Sequence, residues 1–469
     1  MDDRLRWIDS AALHRHYATG DLRPTEYVRG VLDAIAEHDT RLRAFLTVDA
    51  EGAMAQAQSA ERELRTEGMA ALRARPLLGV PVSVKDLTPT RGLRTTRGSR
   101  ALRDWIPDED APAVARLRAA GAIVIGKTNT SEGGWSASTR NRIAESTANP
   151  WDRTRTAGGS SGGAAAAVAA GLGVAATGTD GAGSIRIPAA LCGVVGFKPT
   201  FGRVPYVPLS VERLSHLGPL ARSVHDAALL TDVMSGPDPR DPYSLFPGAR
   251  TAAEPPAVLR IGWIPEPGGA VSHPDVAARC AAAVAALADL GHEVTELASP
   301  FEDPYPALVR ILAAVEAAGQ PPEQDHLADP DRMPVVSHGR GLSAADLLHA
   351  EQGRATLVQQ MHTCMSRWDL LAMPTVAVPP FDRDRWCPPS ASGHDPAALD
   401  WLAWAAACHP FNLTGQPAVS VPVGHGSTGL PVGLQLVGVW NRDDLVLHAA
   451  GLLETALPWM DSYLRLEST

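Results

Sequence analysis

Residues 157–188 read AGGSSGGAAAAVAAGLGVAATGTDGAGSIRIP, and the stretch sets both the fold and the place of the chemistry. Two Gly/Ser-rich loops, 157–163 and 178–184, enclose an alanine-rich run and a short apolar run. Alanine is the strongest helix former, so 164–170 is expected to be a helix opened by the first loop. The second loop ends in Ser184. Glycine lets a backbone take unusual angles and approach a ligand closely. A run of N–H groups freed in this way can converge on an oxyanion, and Ser184 would hold its hydroxyl beside the same point. Positions 157–179 carry no charge, a stretch long enough to cross a membrane. Yet Leu172 and two valines are the only larger aliphatic residues there, so a buried helix is the better reading.

On the N-terminal side, Gly79-Val-Pro-Val-Ser-Val-Lys-Asp86 alternates Val80, Val82 and Val84 as a strand does. Lys85 then falls at or near a strand end. Residues 112–120 read as a helix, and the apolar run 122–125 leads into Gly126-Lys127. Residues 1–70 read helical: Tyr27, Val28, Val31, Leu32 and Ile35 share one face, and 51–67 looks like an exposed helix. On the C-terminal side, Ser223-x-x-Asp226 suggests a capping box, with Gly236 as the stop. Residues 259–264, 274–290 and 292–297 form a strand–helix–strand unit. Further strands are expected at 370–373, 418–423 and 430–437, the last two as a hairpin. Residues 236–257 and 374–398 read as loops. Alternating strands and helices predict an α/β sheet covered by helices.

A serine alone is a weak nucleophile and needs a base. Neither loop contains a histidine. A lysine serves as base only when neutral, a state favoured by burial, and Lys85 follows an apolar strand. Taken alone, GGSSGG also fits a flexible linker or a helix-opening turn. It matches G-x-S-x-G at Ser160 and at Ser161, as a nucleophile elbow would. No GKS or GKT follows, so a phosphate-cradling P-loop is excluded.

The net charge of −10 and the lack of basic blocks argue against a nucleic-acid partner. Five scattered cysteines without a CxxC pair point to neither a disulfide framework nor zinc, and to a reducing, cytoplasmic setting. There is no HExxH, so no metal is implied. The N-terminus lacks a signal-peptide core.

The segment 157–202 resembles the signature of the amidase signature family: GGSSGG, then Thr179-Asp-x-x-Gly-Ser-Ile-Arg-x-Pro188, then Cys192-Gly-Val-Val-Gly-Phe-Lys-Pro-Thr-Phe-Gly-Arg203. Gly79–Asp86, Gly126-Lys-Thr-Asn129, Asn149-Pro-Trp151 and Pro410-Phe-Asn-Leu-Thr-Gly-Gln-Pro417 follow the family's order as well. The resemblance implies that Ser184 is the nucleophile. It makes Ser160, after a cis peptide bond from Gly159, the bridging serine, and Lys85 the end of the proton relay. The N–H groups of Gly181, Ala182, Gly183 and Ser184 become the oxyanion hole, and Ser161, Asp180 and Arg186 take supporting positions. Gly134, Trp135 and Ser136 match a segment lining the acyl pocket of fatty-acid amide hydrolase. The implied fold is one α/β domain over 1–469, a mixed twisted central sheet with helices on both faces. Residues 1–70 are expected to pack outside the sheet and to form homodimers. The implied reaction is hydrolysis of a small-molecule amide without cofactor or metal. Where the family often has Gly-Gly before the nucleophile, this chain has Ala182-Gly183, a variant shared with cyclic-amide hydrolases of nylon-oligomer breakdown, which hints at bulky or cyclic amides.

Other residues carry weaker functional readings. Asp180 and Arg186 are expected to clamp the loop as an ion pair. Cys192 sits in an apolar run and reads as structural, and Lys127 is a second, less well-placed candidate base. Trp386, Trp401, Trp404, His394 and His409 are candidates for shaping the pocket. Trp401 and Trp404 are three apart on an expected helix, which core packing also explains. Pocket walls are expected from loops at 131–141, 300–345 and 376–400. The rival functions are an amidotransferase glutaminase component, an esterase or acyltransferase with the same triad, and a non-catalytic binding protein.

Overall fold

The computed structural model describes residues 3–245, 255–389 and 398–468. Thirteen strands occur among them. The first eight are β1 (Phe45–Val48), β2 (Pro81–Lys85), β3 (Ile123–Thr128), β4 (Ala148–Asn149), β5 (Asp152–Thr156), β6 (Ala175–Asp180), β7 (Val195–Lys198) and β8 (His216–Ala221). The remaining five are β9 (Arg260–Trp263), β10 (Glu293–Glu296), β11 (Leu370–Pro374), β12 (Ala418–His425) and β13 (Pro431–Gly438). Eleven join one sheet in the order β1-β3-β2-β6-β8-β7-β12-β13-β11-β9-β10, while β4 and β5 pair separately. The sheet is mixed. Strand β2 runs parallel to β3 and β6, and β9 parallel to β10 and β11; the other neighbours are antiparallel.

Side chains alternate across a strand, and β11 shows where they go. Leu370 and Ala372 join one apolar cluster, which includes the helices Pro24–Leu42 and Pro274–Asp289. Leu371 and Met373 join another, with the helix Tyr305–Ala318 and the tryptophan group. Helices therefore cover both faces, and β2, β3 and β6 are buried along their whole length. The alternation of valines in β2 thus marks strand geometry, not one wet face.

The signature stretch runs through the middle of this sheet. The helix Gly162–Ala169 has every residue buried and feeds β6, which lies between β2 and β8. The uncharged run 157–179 is thus a short core helix plus a strand. No helix of the described residues is long and apolar enough to cross a membrane.

Three expectations need correction. Residues 1–70 are not all helical: β1 pairs antiparallel with β3, setting Phe45 against Thr128. So short a strand between helices carries too few positions for a periodic signal. Residues 300–345 are largely helical, holding Tyr305–Ala318 and Met333–Gly341. The capping box at Ser223 is half formed. Ser223 Oγ accepts from Asp226 N–H at 3.1 Å, but the Asp226 carboxylate turns to the N–H and hydroxyl of Ser10. That acidic residue ties the first helix to the body of the protein instead.

Candidate active site

Strand register brings the site together. Val82, Ser83 and Val84 lie opposite Ala175, Ala176 and Thr177, so Lys85 comes level with the end of β6. Its Nζ is fully buried and donates to Ser160 Oγ at 2.7 Å, Ser161 Oγ at 2.8 Å and Thr179 Oγ1 at 2.9 Å. Burial pushes the Lys85 ammonium well below the ordinary lysine range, against the pull of Asp180, which favours the charge. A neutral amine has a lone pair, and its contact with Ser160 then serves equally with the serine hydroxyl as donor.

The Gly159–Ser160 peptide bond is cis. Only glycine fits at 159, because a Cβ there would lie 2.5 Å from the Ser138 backbone. Ser161 binds the two loops to each other. Its N–H donates to Ser184 O at 3.1 Å and its hydroxyl to Thr179 O at 3.2 Å. Ser184 is half-buried and, with Ser160, Gly181 and Ala182, lines a cavity of about 250 Å³. Among the described residues its hydroxyl has no hydrogen-bond partner, so it is free to turn toward a substrate or toward Ser160.

The four N–H groups expected to face an oxyanion are not equivalent. The Gly183 N–H donates to Asp180 Oδ1 at 2.7 Å and is thereby committed elsewhere. Those of Gly181, Ala182 and Ser184 have no such bond. Asp180 and Arg186 are both fully buried and 2.9 Å apart. Arg186 also donates to Cys408 O, Gln435 Oε1 and Asn412 Oδ1, and Asn412 Nδ2 returns to Asp180. Burial alone would raise the Asp180 carboxyl, but the Arg186 guanidinium and its neighbours hold it well below the usual carboxylate range. Neither side chain lines the cavity. The pair is a clamp that shapes the loop from behind.

Gly134, Trp135 and Ser136 all line the cavity. The Trp135 ring lies 6.1 Å from Trp401 and 6.4 Å from Trp386, and Trp401 Nε1 donates to Trp135 O at 2.9 Å. Of the three C-terminal tryptophans only Trp401 reaches the lining. Trp401 precedes the short 3-10 helix Ala403–Ala405, which contains Trp404; the expected longer helix is absent. His409 is buried and pairs with Asp303 at 2.8 Å, away from the lining. His394 lies outside the described residues. Lys127, lowered by burial to about 7, is held by Thr90 and Thr95 hydroxyls at 2.8 and 3.0 Å. Cys192 is buried, and burial pushes its thiol up.

Sequence reasoning missed Thr179 as a third holder of Lys85, and Asn412 and Gln435 as partners of Arg186. Thr179 and Asn412 stand inside recognisable motifs, so a signal was present. Gln435 had only its position in an apolar strand, where a polar residue needs a buried partner.

Comparison with known proteins identifies the family. The amidase family model matches residues 26–447. An acylamidase of Rhodococcus erythropolis is 35% identical, covering 98% of both chains. A glutamyl-tRNA(Gln) amidotransferase chain of Roseiflexus sp. (strain RS-1) is 37% identical, covering 94% of both. Among solved structures, 6-aminohexanoate cyclic dimer hydrolase complexed with substrate aligns with a TM-score of 0.86 at 30% identity, covering 97% of this chain and 98% of that one. The chain therefore belongs to the amidase family, the amidase signature enzymes, and is an amide-hydrolysing enzyme.

Proposed function

We propose that Ser184 is the nucleophile, Ser160 the proton bridge and Lys85 the base. The observation that carries this is the buried Lys85 amine 2.7 Å from a serine that shares its cavity with Ser184. As Ser184 Oγ bonds to the amide carbon, its proton passes to Ser160 and the Ser160 proton to Lys85. The carbonyl electrons move onto oxygen, and that oxyanion accepts hydrogen bonds donated by the N–H groups of Gly181, Ala182 and Ser184. On collapse the C–N bond breaks, and the leaving nitrogen takes a proton from Ser160 as Lys85 returns one. Water then opens the acyl-enzyme along the same relay. Trp135, Trp401 and Leu402 give the cavity an apolar wall, which suits an aryl, cyclic or long-chain amide. We infer one domain, since the sheet joins strands from residue 45 to residue 438. We also place the enzyme in the cytoplasm, on its five scattered cysteines without a CxxC pair; a homodimer is proposed on the family resemblance alone. Labelling with a fluorophosphonate and peptide mapping tests the assignment. Ser184 should carry the label, and Ser184→Ala should remain unlabelled. Label at Ser160, Ser161 or a cysteine would refute it.

The resemblance to an amidotransferase chain supports a second reading, glutamine hydrolysis on behalf of a partner. Glutaminase activity that appears only after a partner protein is added would favour it.

A further inference from the structure

We propose that Arg97 recognises an anion on the substrate, so that the preferred amides carry a carboxylate or similar oxyanion on the part held beside Arg97 and Gly133. The proposal rests on Ser184 as nucleophile and names the substrate class of that site.

Arg97 lines the same cavity as Ser184. Its φ is +53°, in the left-handed region that side chains other than Gly, Asn and Asp rarely adopt. Such outliers persist where the surroundings over-determine them, and here they do. The Arg97 N–H donates to Asp86 O at 3.1 Å, and the Gly133 N–H donates to Arg97 O at 2.8 Å. One residue earlier, the Thr96 N–H donates to the Asp86 carboxylate at 2.9 Å. The backbone is fixed from both sides, and the side chain is directed by it.

Arg97 is half-buried as a residue, and among the described residues its guanidinium has no hydrogen bond and no ion pair. None of its nitrogens is closed off from solvent, so all five donors stand open to a ligand that enters the cavity. The carboxylates of the cavity do not fill that role. Glu316 is held by Arg332 at 2.5 Å, and Glu212 accepts from Ser215 Oγ at 2.6 Å. Arg97 also borders a second cavity of about 400 Å³, with Gly133, Val315 and Glu316 common to both. It stands where the two spaces meet. The segment that Arg97 O holds through the Gly133 N–H runs on to the chemistry, since a Cβ on the next residue, Gly134, would lie 3.3 Å from Ser160 Oγ. A planar guanidinium at that point matches a carboxylate bidentately.

The test compares two anilides of matched length, valeric 4-nitroanilide and glutaric mono-4-nitroanilide, on wild type, Arg97→Asn and Arg97→Lys. Asparagine tolerates positive φ, so the first variant removes the charge while keeping the backbone. Wild type should prefer the glutaryl substrate by about tenfold or more in kcat/KM, as a charge-assisted bond implies, chiefly through KM. Added salt should shrink the preference. In Arg97→Asn the ratio should approach one, and Arg97→Lys should keep part of it. Glutarate, but not 1,5-pentanediol, should slow fluorophosphonate labelling of wild-type Ser184, a measurement that needs no variant. Equal use of both substrates by a wild type that labels normally overturns the role of Arg97 alone, as does an equal loss on both in Arg97→Asn. Absence of both turnover and labelling in wild type overturns the nucleophile assignment, and this proposal with it.

Discussion

Replacing Lys85 by methionine separates the proton relay from the fold. Methionine has a similar length and no charge, so the strand end stays filled. Three hydroxyls lose a donor: Ser160, Ser161 and Thr179. Ser161 keeps its bonds to Thr179 O and N at 3.2 and 3.3 Å, and the buried Ser160 borders the cavity. Thr179 keeps a side-chain hydrogen bond with Tyr206, and each hydrogen bond lost with the amine costs about 0.5–1.5 kcal/mol. Against that stands relief from burying an amine, so the net loss should stay within about 2 kcal/mol. Catalysis should suffer far more. General acid–base catalysis contributes about 10²–10⁴ in rate, and kcat on an anilide should fall by at least that much.

The pH dependence carries the same signature. Only the neutral amine can take a proton, so wild-type kcat/KM should rise with pH and level off below the ordinary lysine value near 10.4. Stability has a matching sign. Between the lowered folded pKa and the unfolded one, the unfolded chain binds more protons, so wild-type stability rises with pH relative to Lys85→Met. Anilide kinetics and urea unfolding from pH 6 to 10 read both. A variant that loses less than tenfold in kcat and keeps the same rising limb would refute the assignment of Lys85 as base.

Ser160→Ala should lower kcat about 10²–10⁴ fold with little change in urea midpoint, because its hydroxyl bonds only Lys85 among the described groups; anilide kinetics beside unfolding curves decide this. Arg186→Leu should destabilise by about 3–5 kcal/mol, since it strands the fully buried Asp180 charge. The pair's contribution is present above the unfolded pKa of Asp180, near 3.9, and is lost as acid approaches the lower folded value, so the variant should also lose that acid-limb dependence. Gly159→Ala should fail to accumulate as folded protein, because its methyl would lie 2.5 Å from the Ser138 backbone; soluble yield and thermal unfolding report it. Lys127→Met should remove a rise in stability of about 1.4 kcal/mol per pH unit above pH 7, since burial lowers Lys127 to about 7, and should spare labelling of Ser184.

The reach of sequence reasoning here follows from where the information is local. The loops at 157–163 and 178–184, the strand at Lys85 and the hairpin 418–437 are each specified by neighbouring residues, through glycine, valine alternation and turn chemistry. The edge strand Phe45–Val48 was not legible, because its only reason to be extended is β3, far along the chain. The two helices within 300–345 were hidden by proline and glycine at their ends, although Leu308 and Ile311 are buried on one face. Arg97 was invisible for a different reason. Nothing in Thr-Thr-Arg-Gly-Ser says that its guanidinium is unpaired, a property only the folded surroundings define.

The same distinction explains how the site divides its labour. The parts that must not move are bonded redundantly and kept dry: Asp180 and Arg186 reach Gly183, Cys408, Gln435 and Asn412 between them, and Lys85 is held by three hydroxyls. The proposed nucleophile is the exception: on the half-buried Ser184 the hydroxyl has no partner among the described residues. Committing the Gly183 N–H to Asp180 fits this logic. It gives up one potential oxyanion donor, and in exchange the buried carboxylate fixes the turn that aims the donors on either side. An Asp180→Asn variant strands the buried Arg186 charge in turn and should lose stability comparably to Arg186→Leu, and the folded fraction should also lose kcat, because the neutral amide grips the Gly183 N–H less tightly and the loop loosens. Equal kcat in Asp180→Asn and wild type would show that the turn is set by glycine geometry alone.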